Sequence, residues 1–175
     1  RTLHSDPNQF PQDVVELKGY LSSTCHPQQR VTAVPGFGSR VPMYILGSSL
    51  FGAQLAAILG LPFAFASHFA PDAMMRAINL YRQEFEPSEQ LAEPHVILGY
   101  NICAADTEEE ALLLRSSGLQ AFLNLRQGNP GPLPKPNENF EEALSDAERA
   151  MLQHASPASA VGTVDSVRDQ VREFI

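Results

Sequence analysis

The residues of this 175-residue chain best suited to chemistry lie where short apolar runs give way to small polar residues. Val41–Leu46 runs into Gly47-Ser48-Ser49 and then into the Ala/Leu-rich Leu50–Leu59, closed by Gly60 and Pro62. That order predicts strand, tight turn, helix and stop. Backbone N–H groups at such a turn point outward from the positive end of the helix dipole and can seat a phosphate or another anion. Ser48 and Ser49 add hydroxyl donors, while Gly47 and Gly52 let the backbone come close. The same residues equally suit a plain turn with an N-cap, and neither a Walker pattern nor GxGxxG is present. Ser67-His68 ends a second apolar run. Its imidazole can give or take a proton near neutral pH, or simply satisfy loop backbone. Asn101 sits in an otherwise apolar strand and must find a hydrogen-bond partner there; alternation sends Tyr100 to the opposite face. Arg126 opens a Gly/Pro-rich segment, where it can meet an acidic ligand or the last carbonyls of its own helix.

Other chemistries find little support. His4, His26, His95 and His154 are scattered without a second ligand at metal spacing, and no GxSxG or Cys–His pairing suggests a nucleophile. Cys25 and Cys103 lie far apart, which argues against a disulfide framework or a zinc site and for a reducing compartment. A net charge of −8 speaks against nucleic acid or an anionic membrane as partner and suits a soluble cytoplasmic enzyme. No apolar run is long enough to span a bilayer. The acidic run Asp106–Glu110 reads as a helix start rather than a paired-carboxylate site.

The elements that must position these residues follow from periodicity. A helix is expected over Gln12–Leu21, with Val14, Leu17 and Leu21 on one face, then a long connection Ser22–Arg40 that either hides a strand at Arg30–Val34 or makes a functional excursion. Strands are expected at Met43–Gly47, Pro62–Ser67 and His95–Cys103, with helices at Leu50–Leu59 and from Pro71 to about Phe85. Thr107 with Glu110 and Ser145 with Glu148 form capping boxes that open two later helices. Gln127–Asn139 is a Pro/Gly/Asn-rich excursion, and Thr163 caps a last helix, Val164–Phe174. Strand–helix alternation with apolar strands predicts an α/β fold with a parallel sheet covered on both faces, in a single domain over residues 1–175.

Leu46-Gly47-Ser48-Ser49, Leu55-Ala56-Ala57 and Leu59 through Phe69 with Pro71 resemble the middle of the bacterial-luciferase-like, flavin-dependent monooxygenase family. The likeness continues in order through Tyr81-Arg82 and Phe85-Glu86-Pro87-Ser88, Asn101 to Thr107, Leu125 to Gly131, and Val161-Gly162-Thr163. The resemblance implies a partial TIM (β/α)8 barrel, because a complete one needs about 250 residues. This chain would be its C-terminal half, with three to four parallel strands, lacking the first four strands and the eighth. It further implies noncovalent reduced FMN, with its phosphate at Ser48, Ser49 and Gly52 and with Ser67 beside the isoalloxazine ring or the substrate. His68 would be the catalytic residue, Asn101 and Arg126 substrate-binding, and no metal is implied. The implied reaction joins reduced flavin and O2 to oxygenate a small organic substrate, with the flavin supplied by a separate reductase and the longer parent a homodimer. Two other readings stand beside it: a deazaflavin (F420)-dependent oxidoreductase of the same superfamily, and a non-catalytic binding module or remnant.

Overall fold

The computed structural model describes residues 7–24, 29–155 and 158–174, so His4, Cys25 and His26 lie outside the described residues. After a short 3-10 turn, α1 (Phe10–Leu21) carries Pro11 in its first turn, where the missing N–H costs nothing. The connection that follows folds back on the end of α1, with Gly38 N–H donating to Ser22 O at 3.0 Å and Arg40 N–H to Leu21 O at 3.0 Å. No strand forms over Arg30–Val34; Val34 N–H turns back to Thr32 O at 3.1 Å, and no described strand pairs with the segment.

The regular part begins with β1 (Ile45–Gly47), α2 (Leu50–Ile58), β2 (Phe63–Phe65) and α3 (Pro71–Gln83), followed by β3 (Val96–Leu98). The three strands form one parallel sheet in the order β1-β2-β3, with Gly47, Phe65 and Leu98 in register. Strand alternation puts Ile45, Phe63 and Phe65 on one buried face. There they pack with Ala53, Ala56 and Ala57 of α2 and with Ala77 and Tyr81 of α3. Tyr81 locks the entry end of this sheet. It is fully buried, its hydroxyl donates to Leu61 O at 2.9 Å and accepts from His95 N–H at 3.1 Å, and its ring meets Phe63 and Phe85 at 5.6 Å each. Burial raises the Tyr81 phenol above its ordinary value, and the His95 amide opposes that shift in part.

The opposite face of the sheet is open, contrary to the expectation of cover on both sides: Leu46 is 71% and Ile97 41% exposed. No described element of this chain lies over them.

The third expected strand divides in two. β3 ends at Leu98, Gly99 and Tyr100 intervene, and β4 (Asn101–Ala105) pairs in parallel with β5 (Ser159–Thr163). The division follows from where β2 stops. Gly99 N–H makes the last rung to Phe65 O at 2.9 Å, and beyond it β2 has already turned toward Pro71 and α3. The described residues thus hold five strands, in a three-stranded parallel sheet (β1-β2-β3) and a separate parallel pair (β4-β5). α4 (Glu108–Arg126) starts at the expected cap, where Thr107 Oγ1 accepts from Glu110 N–H at 3.1 Å. α5 (Phe140–Ala143) and α6 (Asp146–Ala155) pack Phe140 and Leu152 against Leu123 of α4, and α7 (Val164–Phe174) closes the described chain. The Ser145–Glu148 box forms as expected: Glu148 accepts from both the Ser145 amide (2.9 Å) and its hydroxyl (2.7 Å). No helix among the described residues is long and apolar enough to cross a membrane.

Candidate functional site

Parallel register brings three predicted site segments to one edge. Ser48-Ser49, Ser67-His68 and Gly99 to Asn101 all leave the sheet beyond the C-terminal ends of β1, β2 and β3. Three hydrogen bonds sew these exits together: Ala66 N–H to Gly47 O at 2.9 Å, Gly99 N–H to Phe65 O at 2.9 Å, and Ser67 Oγ–H to Gly99 O at 2.5 Å. In open parallel sheets and barrels this is the edge at which ligands bind.

At the serine turn, Ser48 and Ser49 are both exposed. Ser49 is extended (φ −139°, ψ 166°) immediately before α2, yet its hydroxyl does not fold back to cap the helix. The leading amides of α2 therefore keep the unmet donors of a helix start, and no acidic side chain stands in its first turn. The turn is thus open and rich in donors. Gly52 is buried within it. A methyl group there would lie 3.6 Å from Phe63 and 3.7 Å from the Gly47 Cα, in ordinary van der Waals contact.

Ser67 is fully buried, and its hydroxyl is directed at Gly99 O rather than into open space. Its observed contribution is to fix the strand exit on which His68 stands. The His68 ring lies 4.3 Å from that of Phe69 and rests over Gly99. A Cβ at position 99 would come within 2.7 Å of His68 Cε1 and closer still to Nδ1. Nδ1 is buried with no hydrogen-bond partner, an unusual state for a buried polar atom.

His68 also lines a cleft of about 340 Å³ between α4 and the β4–β5 pair. Asn101 lines the same cleft together with Ile102 and Cys103 and is exposed, so it needs no buried partner, while the Tyr100 ring lies 4.4 Å from that of Phe174 in α7. The Tyr100 phenol is raised first by burial and then by the nearby Glu173 carboxylate. Arg126 is exposed at the end of α4 and sits over the Phe122 ring at 5.1 Å, outside the lining of the cleft that Phe122 helps to form.

Sequence reasoning missed the far wall. Arg115, Ser117 and Gly118 of α4 face the cleft, as does Leu133 from the Gln127–Asn139 excursion. That excursion is held by α4: Ser116 Oγ accepts from Asn137 N–H at 2.8 Å, and Gln120 Nε2 donates to Lys135 O at 3.1 Å. The usable signal was the Ser116-Ser117-Gly118 interruption in a helix that is otherwise rich in leucine. Among the described residues no three His, Cys, Asp or Glu side chains converge where a metal could sit.

Comparison with known proteins accounts for this arrangement. The chain is 43% identical to a luciferase-like monooxygenase of Escherichia coli (strain K12) over all 175 residues, which make up 52% of that protein. It is 41% identical to the uncharacterized protein YvbT of Bacillus subtilis (strain 168) over 166 residues, covering 95% of this chain and 49% of the relative. It thus spans about half the length of the curated relatives it matches. The crystal structure of apo-MsnO8 superposes with a TM-score of 0.74 at 26% identity, covering 97% of this chain and 51% of that one. Residues 10–175 match the luciferase-like monooxygenase family, and on that match the chain belongs to it.

Proposed function

We propose that this chain is the C-terminal half of a (β/α)8 barrel enzyme that oxygenates an organic substrate with reduced FMN and O2. The observation that carries the reading is the exposed Ser48-Ser49 turn, whose hydroxyls are unspent on capping and whose helix amides face outward at the ligand-binding edge. These donors fit a phosphate monoester. Ser48, Ser49 and the first amides of α2 hold it, with Gly52 in the first turn of that helix. When bound, the flavin supplies the electrons that activate O2. This chain's own part is position and dryness: Ser67 fixes the strand exit, and His68 and Asn101 offer polar atoms to the ring or substrate at the cleft mouth. Arg126, outside the cleft, serves a substrate only from the rim. The open sheet face belongs to the barrel interior, covered by the preceding half in the longer parent. A separate reductase, a homodimeric parent and a cytoplasmic setting complete the proposal.

The test is equilibrium titration of reduced and oxidised FMN into the longer protein that carries this segment, with and without Ser49→Ala. Loss of one neutral hydrogen bond weakens binding by about 1 kcal/mol, roughly fivefold. An unchanged dissociation constant removes Ser49 from the site. A co-purified deazaflavin in place of FMN transfers the reading to an F420-dependent oxidoreductase.

A further inference from the structure

Gly118 stands in the interior of the 19-residue α4, where a glycine is less favourable than alanine by roughly 0.5–1 kcal/mol. A glycine kept in such a place usually lets another backbone approach or adopts a left-handed conformation. Gly118 does neither: an added Cβ meets nothing within 4 Å, and its φ is not positive. What lies in front of it is the cleft. The walls on either side are Ile102, Leu119, Phe122 and Leu133, so the space is largely apolar. Its volume falls in the range of small-molecule sites, about 300–1,000 Å³. Its polar lining comes from His68, Asn101 and Ser159 and, on the α4 wall, from Arg115 and Ser117.

We propose that this cleft is the seat for the apolar body of a small organic ligand that also carries a hydrogen-bonding group, and that Gly118 is the specificity-determining residue that keeps it open. The ligand's polar end meets His68 and Asn101, and its apolar part lies along the bare face of α4. Calling that ligand the substrate rests on the monooxygenase reading above; the existence and chemistry of the cleft do not. The excursion that carries Leu133 forms part of the wall because Ser116 and Gln120 hold its backbone at residues 137 and 135.

The experiment uses 2-naphthol, a neutral aromatic with one hydroxyl, titrated by its fluorescence into the intact chain and into Gly118→Ala and Gly118→Leu, without flavin. The intact chain binds it saturably and one-to-one. Gly118→Ala raises the melting temperature and retains binding within about threefold. Gly118→Leu fills the space, keeps a melting temperature at least equal to that of the parent chain, and weakens binding by tenfold or more. The proposal is overturned by absent or non-saturable binding, by equal affinity for Gly118→Leu, or by a lower melting temperature in either variant, which would show the position to be already packed. Because no flavin is present, these outcomes are separate from those of the FMN titration. Either reading can fail while the other stands.

Discussion

Replacing Gly99 by alanine tests whether the His68 imidazole owes its place to the absence of a side chain beneath it. The new Cβ would stand 2.7 Å from His68 Cε1 and nearer to Nδ1, roughly 0.7 Å or more inside ordinary van der Waals contact. Ser67, one residue before the ring, is tied to Gly99 O at 2.5 Å, so the backbone has little room to yield and the ring itself must move. Overpacking of this size costs about 1–3 kcal/mol. With His68→Ala already in place the obstacle is gone, and alanine at 99 becomes neutral or favourable by up to about 1 kcal/mol through chain entropy. Urea unfolding of the parent, the two single variants and the double variant therefore yields an interaction energy of about 1–3 kcal/mol, with unchanged m values. In parallel, the imidazole resonances of His68 shift in Gly99→Ala while those of His95 stay in place. Single costs that add to within about 0.5 kcal/mol would refute the argument, since additivity means that the two residues do not meet.

Tyr81→Phe keeps the ring contacts with Phe63 and Phe85 but strands the buried Leu61 carbonyl and the His95 amide, for a loss of about 1–3 kcal/mol in urea unfolding. Tyr100→Phe is the control: its hydroxyl has no partner among the described residues, and its removal should cost under about 0.5 kcal/mol. The Ser145 hydroxyl and amide, and then the Gln127 amide, hold the Glu148 carboxyl below its ordinary value. Its contribution to the start of α6 is therefore complete above about pH 4.3 and is lost as pH falls through the lower folded-state value. Amide exchange at Ser145 followed through an acid titration reads that loss, and Ser145→Ala should weaken the pH dependence without abolishing it, since the residue 145 amide and Gln127 still donate to Glu148.

Much of this molecule was legible because its signals are local. The Gly47-Ser48-Ser49 turn, the capping boxes at Thr107 and Ser145, and the apolar strand cores each depend on a few neighbouring residues, and each appears where expected. What escaped depends on contacts distant in sequence. β5 is a run of small residues around Gly162, and it becomes a strand only because β4 lies beside it and the Glu108 carboxylate accepts from Thr163 N–H at 3.1 Å. The break at Gly99-Tyr100 is set by the end of β2, more than thirty residues earlier. The cleft was half visible: His68 and Asn101 announced themselves by their chemistry, whereas Gly118 and Leu133 have none and matter only by where they stand. Arg126 drew attention for its charge, yet its immediate neighbour is the Phe122 ring.

The two apolar clusters have no residue in common: one gathers around Phe63, Phe65 and Tyr81, the other around Leu123, Phe140 and Leu152. Separate clusters favour separate foldons, each with its own opening free energy. The later and smaller one, with three fully interior members against eleven, opens first. Sub-global melting of that part would discharge whatever the α4 cleft holds while the serine turn, rooted in the larger cluster, stays assembled. On the two proposals above, the cleft would empty without releasing what the serine turn holds.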